Sequence, residues 1–282
     1  REMAYSALAI KGSVPTLITQ EVRDASLLEH VFYELYEEPN AQITAAAEVA
    51  RKSADNRVAT AQFADLALDA LSLASIFFLA AIGLAITFGV MGVINMAHGE
   101  FIMMGAYTGY VVQLFIPNYT VAIFVALPLA FAVTFVAGVV MERLVISRLY
   151  HRPLETLLAT FGVSIALQQL AKNMFGTQAR PLTSPDWLAG AWVVNDVIQI
   201  SFIRIAIFIL ALLFLSLIVY ILKRTRLGLE VRAVTQNPGM ASSMGINPDR
   251  INMMTFGLGS GIAGIAGVAI GLYAKVTSEM GS

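Results

Sequence analysis

Asn95, His98 and Glu100 fall within six residues at the end of an otherwise apolar run, GLAITFGVMGVINMAHGE, from Gly83 to Glu100. An amide, an imidazole and a carboxylate in that spacing can pair with a polar solute, pass a proton, or fix the end of a helix. Two placements are open. The side chains can sit at the headgroup level of a bilayer, where snorkelling and hydration make charge cheap. Alternatively, the helix breaks at Asn-Met-Ala-His-Gly, eased by Gly99, and unwound backbone faces a central cavity.

A second polar set lies downstream. Thr160, Ser164 and Gln168 recur every four residues and share one helix face, which suits either the lining of a path or a hydrogen-bonded helix contact. Other chemistry is excluded. There is no Gly-Lys dipeptide, hence no phosphate-binding P-loop, and no HExxH zinc helix. Ser260 lies between Gly259 and Gly261, where a small-residue helix face explains it better than a nucleophile does. Gly257/Gly261 and Gly267/Gly271 are spaced for close helix approach, as are Ala263/Gly267 and Gly105/Gly109. The sequence calls for no catalytic residues, no metal, no cofactor of its own and no nucleic acid.

The elements that must position these groups follow from composition. The chain of 282 residues is 57% hydrophobic and 13% charged, with mean hydropathy +0.73. That composition belongs to an integral membrane protein. It contains no cysteine, so disulfides and thiolate sites are excluded. Residues 1–68 carry six Lys/Arg against ten Asp/Glu, and residues 70–282 carry twelve against eight. The first stretch reads as a helical extension outside the membrane, with Leu27, Leu28, Val31, Phe32 and Leu35 on one face and breaks at Gly12, Pro15 and Pro39. Residues 69–282 read as the membrane domain. The chain opens on Arg1 without a secretory signal and stops directly after an apolar segment, so it is read as a fragment or processed chain.

Ala70–Ile94 holds 25 residues without a charge, enough to cross a hydrocarbon core of about 30 Å. Further candidates are Phe101–Ile116, Val121–Met141, Leu157–Leu170, Ile205–Leu222 and Met254–Ala274. Phe101–Ile116 and Leu157–Leu170 are short, as tilted spans or re-entrant pieces would be. The fold expected is therefore all-α, a polytopic bundle of about six spans or re-entrant segments. Residues 142–153 and 223–253 hold eight of the twelve basic residues after position 69, and the positive-inside rule puts both loops in the cytoplasm. Residues 172–204, with Trp187 and Trp192, then lie outside. So do residues 1–68, and the packet ends up near the cytoplasmic face.

The cytoplasmic loop carries its own signals. Asn237-Pro238 reads as a helix start, Gly245 as a stop and Asn247-Pro248 as a second start, giving a short helix over Pro238 to Met244. Exposed Met240 and Met244 beside small Ala241, Ser242 and Ser243 suit docking in a partner's groove; an ordered loop without a partner is the alternative.

INMAHGE, the stretch RPLETLLATFGVSIALQQLAKNMFGTQARPL (Arg152–Leu182) and the loop LEVRAVTQNPGMASSMGINPDRIN together resemble the permeases of branched-chain amino-acid type ABC importers. Within that family they look most like the first permease of bacterial urea transporters. The resemblance implies a bacterial inner-membrane subunit translocating a small polar solute, with urea as main reading and a branched-chain amino acid or short amide as alternative. Its implied partners are a second homologous permease, two cytoplasmic ATPase subunits and a periplasmic substrate-binding protein. It also implies that the loop around Arg232, Ala233, Asn237, Met240 and Gly245 meets the ATPases, and that 1–68 is a periplasmic extension. Urea, with four N–H donors and one carbonyl, could be held by amides such as Asn95 and Gln168. A zwitterion would favour charged groups, and no buried basic residue is evident. From another class comes a passive urea or amide channel, since Asn95-Met96-Ala97 is similar to the Asn-Pro-Ala turns of water channels, although only one such turn is present. A membrane enzyme lacks an assembled nucleophile and base.

Overall fold

A computed structural model describes residues 41–150, 152–193 and 199–281. The helix face and breaks expected within residues 1–40 lie outside the described residues. The chain divides into two units, residues 1–61 and 62–282. The first described element, α1 (Ala41–Met91), is one continuous helix. Its opening stretch, AQITAAAEVARKSADNRVATA, contains neither Gly nor Pro, and its Ala-rich backbone is supported by the exposed pairs Glu48–Lys52 and Arg51–Asp55. The helix therefore does not pause at the change of composition near Asp69.

Within residues 62–282 the described elements are helical apart from one short strand pair. They comprise α2 (His98–Phe115), α3 (Tyr119–Leu144), a 3-10 turn (Ile146–Arg148), α4 (Pro153–Phe175) and the single turn α5 (Asp186–Ala189). Then come α6 (Phe202–Arg224), α7 (Arg226–Gln236), α8 (Pro238–Ser243) and α9 (Pro248–Tyr273). Strands β1 (Ala191–Val193) and β2 (Gln199–Ser201) pair antiparallel, with Trp192 opposite Ile200. The architecture is an all-α polytopic bundle. Among the described residues five helices are long and apolar enough to cross a membrane: α1, α3, α4, α6 and α9. The sixth expected crossing, α2, has 18 residues with His98 and Glu100 in its first turn, which keeps its mean hydropathy below that of the others. Conversely, α4 is a full-length helix of 23 residues. Thr156, Gln168, Gln169 and Lys172 shorten its apolar run without stopping the helix.

Helix α9 is the centre of the bundle and packs most extensively on α3 and α2. It can do so because its glycines remove side chains at the crossings. A β-carbon on Gly264 would overlap Thr134 of α3, and one on Gly267 would overlap the carbonyl of Ile102 on α2. Gly257 and Gly261 receive the rings of Phe135 and Phe131, and Gly271 lies against Leu182 and Val276. Three hydroxyls in this core are satisfied within their own helices: Thr134 donates to Ala130 O, Ser260 to Phe256 O and Thr87 to Leu84 O. An apolar cluster of Ile76, Leu79, Ile82, Ile207, Ile262 and Ile265 joins α1, α6 and α9.

One end of the bundle gathers the contacts Asp69–Arg204, Gln113–Thr183, Trp187–Thr120 and Arg180–Val276. These pairs bring together the span ends that the loop reading assigns to one side.

Candidate functional site

Helix α1 ends where Gly92 takes a left-handed conformation, φ 63°, that L residues avoid. Residues 92–95 belong to no helix, and Asn95 then closes a tight turn: its Oδ1 accepts from Ala97 N at 3.0 Å. Helix α2 starts at His98, with no side-chain cap on its first turn. The unwound segment lies at Gly92–Ala97, earlier than the Asn-Met-Ala-His-Gly break expected from Gly99. Gly99 is inside α2, where a β-carbon would overlap the backbone of Gly281.

The placement of the packet near the cytoplasmic face does not hold. His98 Nε2 donates to Ala80 O at 3.1 Å, and Ala80 lies about three turns before the end of α1. The non-helical residues 92–97 therefore bring the chain back alongside α1, and the packet sits near half-depth. Asn95 is 4% exposed, His98 9% and Glu100 2%. Headgroup hydration does not reach groups buried in this way.

The fold brings the two polar sets together. Ser164 Oγ donates to Glu100 Oε1 at 2.9 Å and Gln168 Nε2 donates to the same oxygen at 2.8 Å. Thr160 Oγ1 accepts from Met96 N in the turn at 3.1 Å. The stripe on α4 therefore faces the break, and Glu100 is its common acceptor. Three buried polar atoms here have no partner in the structure: Glu100 Oε2, Asn95 Nδ2 and His98 Nδ1. Each unpaired buried group of this kind costs about 1–3 kcal/mol, and a charged one more. They form a built concentration of unmet hydrogen-bonding capacity.

Directly beyond Glu100, the same seam turns apolar. A pocket of about 350 Å³ is lined by Met103, Met104 and Tyr107 of α2, Leu129 of α3, and Leu167 and Phe175 of α4. Tyr107 stacks on Phe175 at 4.2 Å between ring centroids, and its hydroxyl is buried without a partner. Sequence reasoning did not single out Tyr107. Its position seven residues after Glu100, on the same face of α2, was the available signal.

The loop residues form a separate group at the other end of α9. Asn237 Oδ1 accepts from Met240 N at 2.9 Å, and Asn247 Oδ1 accepts from Arg250 N at 3.1 Å. Helix α8 ends at Ser243, and Gly245 closes it with φ 87°. Met240 and Met244 are exposed, Ala233 is half-buried, and Arg232 Nη1 donates to Leu222 O. Helix α7, absent from the expectation for this loop, carries Leu227, Val231 and Val234 inward and is capped by Thr225. Nearby, Tyr150 donates to the buried carboxylate of Glu142. Burial, and then the Glu142 carboxylate, push the Tyr150 phenol well above its ordinary range, so it keeps its proton.

Residues 66–282 match the family described as branched-chain amino acid transport system / permease component. The chain belongs to that family. The high-affinity branched-chain amino acid transport system permease protein BraD of Pseudomonas aeruginosa is 29% identical over 228 residues, covering 76% of this chain and 73% of its own. LivH of Escherichia coli (strain K12), of the same description, is 29% identical over 221 residues, 72% of this chain and 68% of its own. A probable LivH of Methanocaldococcus jannaschii is 24% identical over 224 residues, 75% and 67%. No solved structure matches the chain. The protein is thus an ABC-transporter permease of branched-chain amino-acid type, a multi-pass protein of the inner membrane. Its relatives are permease subunits of ABC transporters, which are not themselves enzymes. None of these relatives is named for urea, so the narrower urea-type resemblance gains no support from them.

Proposed function

We propose that this permease carries an aliphatic α-amino acid across the inner membrane, with the substrate held where α2 begins. The observation that carries this reading is Glu100: a carboxylate 2% exposed, with Oε1 held by Ser164 and Gln168 and Oε2 without a partner. A buried carboxylate is stabilised by a cation, and a substrate ammonium supplies one. Asn95 Nδ2 and the uncapped first turn of α2 offer donors for a substrate carboxylate. Met103, Met104, Leu129 and Leu167 offer the aliphatic side chain an apolar wall.

Urea is the competing cargo. The amides that would serve it are largely committed: Gln168 Nε2 donates to Glu100, and Asn95 Oδ1 caps the turn at Ala97. The names of the relatives also favour the amino acid.

In this reading, partner ATPases on the cytoplasmic side drive alternating access through the loop of Arg232, Ala233, Asn237, Met240 and Gly245. A second homologous permease completes the pathway and a periplasmic protein delivers the substrate to the face that residues 1–68 share. The test is competition for uptake into proteoliposomes holding the assembled transporter. Leucine and isoleucine are expected to displace one another, with urea and short amides without effect. Glu100→Gln is expected to lower uptake about tenfold while the complex still assembles. Competition by urea alone would install the urea reading, and uptake that persists with inactive ATPases would install the channel.

A further inference from the structure

A second and larger cavity lies away from this site and has a different chemistry. It is a groove of about 730 Å³ between α1 and α6, closed at one end by α7. Its walls are Ile82, Ile86, Gly89 and Val90 of α1 with Ile218 and Leu222 of α6, and polar side chains occur only at the α7 end: Lys223, Arg232, Thr235 and Gln236. From Phe78 to Val90 the apolar wall measures about 18 Å at 1.5 Å per residue. That matches one leaflet of a hydrocarbon core of about 30 Å.

We propose that this groove seats an anionic phospholipid of the cytoplasmic leaflet, with an acyl chain along α1 and the phosphate at Lys223 and Arg232. Charge selects the occupant. Residues 223–232, KRTRLGLEVR, hold four basic side chains against Glu230 alone, and Lys223 and Arg232 form no ion pair among the described residues. An apolar helix of a neighbouring protein would fill the walls but leave this cationic mouth without a counter-charge, and so would the tail of a zwitterionic lipid. An anionic headgroup satisfies both, each nearby basic residue favouring it about fivefold. The groove also contains its own control. A β-carbon on Gly89 meets nothing within 4 Å, so a larger side chain there enters the cavity without displacing protein.

The experiment uses the assembled transporter in nanodiscs containing a trace of lipid with a photoactivatable group on its acyl chain. Phosphatidylglycerol bearing the probe is expected to label peptides covering residues 78–90 and 215–222, at least about fivefold more than phosphatidylcholine bearing the same probe. Gly89→Leu is expected to abolish that labelling in a complex that elutes unchanged on gel filtration. Lys223→Gln with Arg232→Gln is expected to bring the two lipids to equal labelling. Equal labelling of the unaltered protein by both lipids, labelling that survives Gly89→Leu, or cross-links from these peptides to the second permease in place of lipid would each overturn the proposal.

Discussion

Helices α9 and α4 are both long and apolar enough to span a membrane, yet they are held in opposite ways. Of the most apolar window of α9, 78% is buried within the bundle, against 22% for α4. Helix α9 is fixed by backbone approach: Gly264 lies under Thr134 and Gly267 under Ile102, contacts that no side chain can replace. Helix α4 is fixed by a few hydrogen bonds, Ser164 and Gln168 to Glu100 and Thr160 to Met96, with one ring stack at its far end. Close packing of the first kind has one arrangement. Interhelical hydrogen bonds are worth about 1 kcal/mol each and can be exchanged for bonds to a solute. The permease thus joins a closely packed axis to a helix held by hydrogen bonds, two of them accepted by the buried carboxylate of α2.

The sharpest way to break this contrast is Gly264→Val, whose side chain would collide with Thr134 and Ala130. It is expected to destabilise the bundle by about 3 kcal/mol, read as a large fall in Tm in detergent; an unchanged Tm would remove α9 from its role as axis. Glu100→Ala should act on α4 alone. The chain lacks cysteine, so Ala171→Cys, at a buried position on α4, gives a single reporter. Its maleimide labelling is expected to quicken about tenfold when Glu100 is lost, equivalent to ~1.4 kcal/mol, and an unchanged rate would mean that packing holds α4. Gly245→Val forces a β-branched residue to φ 87° at a cost of about 1–2 kcal/mol. It is expected to leave the bundle folded and to separate ATP hydrolysis from uptake in the assembled transporter; tight coupling would release the loop from that role. The smallest effect is Gly162→Ala on α4, where a β-carbon meets nothing within 4 Å. It is expected to raise stability by about 0.5–1 kcal/mol, the opposite sign from Gly264, as differential scanning would show.

The spans were legible because apolar runs of this length have few alternatives. The ends of α4 were not, since Gln168, Gln169 and Lys172 interrupt hydropathy without interrupting hydrogen bonding along the helix. Thr160, Ser164 and Gln168 could be placed on one face from their spacing, but their acceptor could not be named, because Glu100 is 64 residues from Ser164. Depth misled for a related reason. Counting residues along the chain assumes steady progress across the membrane, whereas Gly92 turns the backbone and residues 92–95 retrace part of the path. Helix α7 was hidden inside a loop whose basic residues drew attention to sidedness, although Leu227, Val231 and Val234 follow a helical period.

The caps at Asn237 and Asn247 have a consequence for association. With α8 and the start of α9 each closed by its own asparagine, and Gly245 holding the turn between them, the exposed Met240 and Met244 are displayed on a surface already folded before any encounter. A binding partner would spend little of its interaction energy on ordering that segment, so affinity at such a contact would be set by the methionines themselves.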